Sequence, residues 1–350
     1  MKKIFVLSIL TLTLLNIYWI SYFIFNKNNP INSEILAEEP IFKRGIIYIS
    51  NIDSTGMSIE NSEFKIIDFE SGKTIQTLTT DENGFAKSNI LYYGTVYVIE
   101  QISAPSVYEM IDSSMKIELS EDIHEIVFEN KLLSHIKNID KKENGKIEIT
   151  ELYLPVDIVM QNPELPNGCE ITSLTAVLNF HGYDISKTHM ADNYLDKVPF
   201  SRVNGKLYGG NPYEAFAGDP THSSGFFVYG PPIAKAANNY FQDIQGNNIA
   251  IDISGSTSEE IIEYLNQGLP VVIWVALDLS HPRLNYSWYI KESNDKFIAP
   301  VNLHAVVLKG YSDGYVHIMD PLKGHVTHEI NRFFLSYNEL GSHSVLIVEN

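Results

Sequence analysis

Residues 4–25 run for 22 positions without a charged side chain, directly behind Met1, Lys2 and Lys3. About 20 apolar residues suffice to cross a bilayer as a helix. A run of this length constrains everything after it, because Lys2 and Lys3 hold the N-terminus inside and send the remainder outward. Tyr18, Trp19, Tyr22, Phe23 and Phe25 crowd its outer end, as aromatic side chains do at a membrane interface. The nearest small-residue cleavage candidate, Leu36-Ala37, lies well beyond the run. Residues 1–25 are therefore expected to be a transmembrane anchor or a signal segment, with the anchor preferred. The protein is expected in the cell membrane as a single-pass protein with its bulk extracellular, the alternative being secretion. Residues 26–40, polar and holding Pro30 and Pro40, form a linker.

The exported part must fold in water. At 44% hydrophobic and 19% charged residues the whole sequence has material for real cores, and 350 residues suggest about two domains. A net charge of −18 argues against a nucleic-acid partner, which would need a basic face. The single cysteine excludes an internal disulfide and a cysteine-based zinc cluster.

Residues 41–131 read as short strands broken by turns about every ten residues, the pattern of a small all-β sandwich. Strands are expected at 46–51, buried on most of its surface, and at 64–68, 97–100 and 126–128. Asp81-Glu82-Asn83-Gly84 is a hairpin signal between Leu78 and Phe85. "GIIYISNID", "TTDENGFAKSNILYYGTVYVIEQISAPSVYE" and "VFENK" together resemble the SpaA-like, prealbumin-type (collagen-adhesin B-type) domains of Gram-positive surface proteins. The resemblance implies a stalk or adhesive domain, often cross-linked by a Lys–Asn isopeptide bond that a buried acid promotes. Glu100 aligns with the acid and Asn130 with the acceptor. Asn51 stands where the lysine would be, so no cross-link is expected. Residues 132–150, with Lys137, Lys141, Lys142 and Lys146, read as an exposed linker or edge hairpin.

Chemistry is expected in residues 151–350. Cys169 follows Pro166-Asn167-Gly168 and opens the apolar-periodic stretch Ile171, Leu174, Val177, Leu178, which ends at His181-Gly182. A thiol at a helix start feels the positive end of the dipole, which lowers its pKa, and free N–H groups there can stabilise an oxyanion. Such a nucleophile needs a base and an orienting partner. His304 begins the apolar stretch 302–308, Asp320 ends the stretch 315–320, and Ser312-Asp313-Gly314 turns one into the other. Read as a tight hairpin, the register sets His304 beside Asp320. The remaining histidines of this half, His343 among them, read as surface or hydrogen-bonding residues. Gln161, eight residues before Cys169, can supply an amide donor to an oxyanion. The Gly-, Pro- and aromatic-rich stretch 209–232 reads as a long loop that could shape a cleft. A helix is expected over 259–266 and a buried strand over 271–276.

"VDIVMQNPELPNGCEITSLTAVLNFHGY", "GGNPYEAFAGDPTHSSGFFVYGPPI", "LHAVVLKGY" and "VHIMDP" resemble exported cysteine peptidases related to the bacteriocin-leader (double-glycine) peptidases of the papain superfamily. The resemblance implies an α+β papain-like domain over 151–350, with nucleophile Cys169, base His304, orienting acid Asp320 and oxyanion donor Gln161. It implies no metal and no organic cofactor. Leader-processing members carry ATP-binding domains, and this sequence has no phosphate loop, so a leader peptide is not the expected substrate. The expected function is a cell-surface cysteine peptidase acting on a peptide or cell-wall peptide through an acyl-enzyme. The alternatives are a non-catalytic binding module and a thiol-dependent acyl transferase.

Overall fold

The computed structural model describes residues 43–142 and 145–350. The expected membrane-spanning helix over 4–25 lies outside them. Among the described residues no helix is long and apolar enough to cross a membrane.

The N-terminal domain is a sandwich of two four-stranded sheets. In one, Arg44–Asp53 pairs with Phe85–Lys87 and Leu91–Tyr92, and runs parallel to Ile123–Asn130. The other joins Thr74–Thr79, Glu63–Asp68, Val96–Ser103 and Met115–Glu118 in that order. Alternate residues of each central strand point inward, as the period of two requires. Ile47, Ile49, Phe64, Ile66, Ile99, Ile126 and Phe128 thus fill one core. The turn at 81–84 differs from its expected role, because the strands on either side of it belong to different sheets. It is a crossover corner and not a hairpin. Gly84 has φ +75°, and a Cβ there would meet the Asn51 carbonyl at 2.5 Å, so only glycine fits.

The same inward parity decides the cross-link question. Asn51 is fully buried and its amide donates to Ser62 Oγ at 2.7 Å. Asn130 is buried too, but its partner is Gln101, with amide-to-amide bonds of 3.0 and 2.8 Å. Glu100 sits on the other parity, half-exposed. The acid expected at Glu100 therefore does not face Asn130, and a neutral amide does. With lysine and acid both replaced, intact-mass measurement should find this domain at full mass. Loss of one ammonia, mapped to Asn130, would contradict that.

The C-terminal domain is α+β. Its eight-stranded sheet runs Asn248–Asp252, Ser344–Glu349, Val271–Ala276, Leu303–Ser312, Ile147–Tyr153, Ile136–Lys141, with Tyr315–Asp320 and Gly324–Glu329 continuing from Leu303–Ser312. Residues 132–150 thus supply most of a β-hairpin at the sheet's edge. Ile59 and Tyr108 of the sandwich share an apolar cluster with Ile136 and Leu152 of that hairpin. Val271–Ala276 is buried at every residue, covered by the helices Cys169–Phe180 and Ile330–Glu339. The helix expected at 259–266 spans Ser258–Asn266, with Thr257 and Glu260 closing a capping box at its start.

Candidate active site

Helix Cys169–Phe180 is buried along its first ten residues, so it runs through the domain and not over its surface. It lies against Leu303–Ser312, and Ser173 Oγ donates to the Ala305 carbonyl at 3.2 Å. Gly168 caps it without a side-chain acceptor, which leaves the first-turn N–H groups uncapped around Cys169. A Cβ at Gly168 would lie 2.7 Å from Leu165 Cβ, so the tight approach to the helix needs glycine. The stretch 209–232 meets this approach: Asn167 donates to the carbonyls of Pro220 and His222 at 3.2 and 2.8 Å.

His304 and Asp320 are 3% and 2% exposed, and His304 Nε2 is 2.8 Å from Asp320 Oδ1. The hairpin register that achieves this differs from the one expected. Ser312 pairs with Tyr315, Tyr311 with Val316 and Gly310 with His317, but then Leu308 pairs with Ile318 and Val307 with Met319. Lys309 is the extra residue of a β-bulge. Without it the partner of Asp320 would be Val307, and His304 would lie on the opposite face. With it, the register carries Asp320 to Val306, so His304 becomes a diagonal neighbour on the same face. Lys309 is itself buried, its amine 3.6 Å from the centre of the Tyr153 ring, and burial lowers that amine to about 8.

Burial raises the carboxyl of Asp320, but the hydrogen bond and charge of His304, the Leu322 N–H and Lys323 together hold it below its ordinary value. Leu322 N–H donates to Oδ1 at 2.8 Å, and Lys323 Nζ lies 3.7 Å from Oδ2. With Nε2 engaged, Nδ1 is the imidazole nitrogen left to exchange a proton with a thiol. Gln161 joins the same constellation. Its N–H donates to the Pro321 carbonyl at 2.9 Å, and its Nε2 donates to the Pro166 carbonyl at 2.8 Å, three residues before Cys169.

The thiol departs from expectation. Burial first, then the Glu170 carboxylate and Asp320, push it well above its usual value, against the pull of the Ala305 N–H. The dipole at the helix start is outweighed by loss of water and by two nearby acids. Sγ donates to Glu170 Oε2 at 3.3 Å, and Glu170 Oε1 accepts from Val228 N–H at 3.1 Å. Glu170 is fully buried, and burial raises its carboxyl to about 7 despite those bonds. Sequence reasoning gave this residue no role. No signal in the sequence marked it, since a glutamate in the first turn reads as an ordinary helix-start charge, and only the burial of its neighbours shows that it must meet a specific partner. His343, expected as a surface or hydrogen-bonding residue, is not on the surface. It is buried against the Tyr229 ring at 4.0 Å, and burial lowers it to about 4.

His304 is thus bonded to Asp320, while Asp320 and the Ala305 N–H act on Cys169, and Gln161 is bonded to the segment leading into the same helix. Among the described residues, no group of three or more His, Cys, Asp or Glu could hold a metal ion. The model of the Peptidase_C39 like family matches residues 153–345, and that of the SpaA prealbumin-like fold domain matches residues 45–132. The uncharacterised protein YvpB of Bacillus subtilis (strain 168) is 31% identical over 214 residues, 59% of this chain and 81% of that protein. A solved Bacillus anthracis protein, described as a candidate C39-like peptidase, is 31% identical with a TM-score of 0.51. The match covers 57% of this chain and 98% of that one.

Proposed function

The chain belongs to the C39-like peptidase family, and on that premise we propose that it is a cysteine peptidase held at the cell surface. The observation that carries the reading is the buried His304–Asp320 pair, one residue from the Ala305 N–H that acts on Cys169 Sγ. In this mechanism His304 Nδ1 takes the proton of Cys169. The thiolate attacks a peptide carbonyl, and the oxyanion is met by the Cys169 N–H and by Gln161 Nε2. The second amide hydrogen of Gln161 serves here, since the first is held by the Pro166 carbonyl. His304 then returns its proton to the leaving amine, and water resolves the acyl-enzyme. The SpaA-like sandwich serves as a stalk between membrane anchor and catalytic domain.

The test is a digest of surface peptides and wall fragments by wild type and Cys169→Ala, with and without an added amine. New termini only with wild type support hydrolysis. Amine adducts would replace it with acyl transfer, and identical digests would leave only a binding module. Gln161→Ala should leave alkylation of Cys169 intact while lowering turnover about 10²–10³-fold, the range for one lost oxyanion donor. Comparing iodoacetamide labelling with kcat separates those two effects.

A further inference from the structure

The nucleophile proposed above spends its hydrogen bond on an acid and not on its base. We propose that Glu170 is a proton-controlled brake on Cys169. As a carboxylate it holds the nucleophile as a neutral thiol; as a carboxylic acid it releases the thiol and donates to the thiolate. The inference rests on Cys169 being the nucleophile.

The geometry is direct. Oε2 lies 3.3 Å from Sγ, and Oε1 is fixed by the Val228 N–H at 3.1 Å, so the carboxyl cannot swing away without losing that bond. Val228 is fixed in turn, since its carbonyl accepts from Trp274 Nε1 at 2.9 Å. A carboxylate this close to Sγ opposes ionisation of the thiol, because two negative charges in a dry site repel strongly. The same carboxyl carrying a proton reverses the effect, since an O–H donor to an anion stabilises it.

The groups acting on the pair come from each element around it. Leu303–Ser312 brings the Ala305 N–H, with His304 beside it in the chain, and Tyr315–Asp320 brings Asp320, which is bonded to His304. The stretch before helix Gly230–Ile244 brings the Val228 N–H, with the Tyr229 phenol next along the chain. Val271–Ala276 brings Trp274 and otherwise aliphatic side chains. Burial places the Glu170 transition at about 7, within the range where a protein works.

The proton balance closes without a redox partner. One proton from solvent binds Glu170 Oε2. The Sγ proton passes to His304 Nδ1, leaving a thiolate and an imidazolium, and the new carboxylic O–H donates to Sγ.

Because the chain has one cysteine, iodoacetamide uptake by the full-length protein reads Cys169 alone, by intact mass. Wild type, Glu170→Gln and His304→Ala are compared between about pH 5 and 9. The side-chain amide that Glu170→Gln introduces can still accept from the Val228 N–H while donating permanently to Sγ. Wild-type labelling should fall as pH rises through about 7. Glu170→Gln should not fall, and at about pH 8 it should label at least roughly tenfold faster, one pKa unit of relief. Parallel profiles for the two proteins would overturn the brake. If Glu170→Gln does not fold, wild type decides alone, since labelling that climbs steadily across the range overturns it too. Unchanged labelling in His304→Ala would instead remove the base, a failure of the peptidase reading and not of the Glu170 contact.

Discussion

His304→Ala is expected to reduce turnover by about 10⁶-fold, to the floor set by Cys169→Ala, because nucleophile and base fail as one unit. The reason is specific to this site. Burial and the neighbouring acids hold the thiol protonated, so a thiolate forms only if something within reach takes the proton. His304 Nδ1 is that acceptor in the proposed mechanism, and Nε2 is already committed to Asp320. The double variant Cys169→Ala/His304→Ala should be no worse than either single one. Steady-state cleavage of a peptide found in the digest measures the loss, with circular dichroism confirming that the folded state survives. Residual activity within about tenfold of wild type would mean another group removes the proton, since general-base help alone is worth about 10²–10⁴-fold.

Much of this constellation was legible in the sequence, and the part that was not has a physical cause. The Cys169 helix could be read because its apolar spacing and its glycine are local signals. The hairpin turn at 312–314 was local too. The pairing of His304 with Asp320 was read from an uninterrupted hairpin, whereas the structure reaches it through the Lys309 bulge. A bulge leaves no mark beside a run such as 305–308, where every residue is apolar and the period of two is lost. Lys309 was the one odd residue there, a charge in an otherwise buried strand. The expected low thiol pKa failed for a related reason. A helix start can be read from sequence, but the depth of burial around it depends on packing from distant segments such as 226–229. The same holds for Asn51, Gln101 and Asn130, where one strand parity decided which side chain met Asn130.

Asp320→Ala is expected to lower turnover by about 10⁴-fold, the scale seen when the orienting acid of a triad is removed outright. Asp320 Oδ1 accepts from both His304 Nε2 and the Leu322 N–H, so its loss frees the imidazole and strands one buried and one half-buried donor. Asp320→Asn separates orientation from charge. An amide oxygen in the place of Oδ1 can accept both bonds, while its Nδ2 would face Lys323, which is half in solvent. What disappears is the charge that favours an imidazolium, a difference of about 1–1.5 kcal/mol between charged and neutral hydrogen bonds. Asp320→Asn should therefore lose only about tenfold. The pH dependence checks the assignment. A carboxyl held below its ordinary value contributes stability that is fully present above the unfolded value of about 4 and is lost as pH falls through the folded one. Asp320 thus stays ionised wherever turnover is assayed near neutrality, and any loss of activity between about pH 5 and 8 must come from other groups. If Asp320→Asn is as damaged as Asp320→Ala, the charge dominates. If both stay within tenfold of wild type, His304 is oriented by something other than Asp320, and the triad assignment fails.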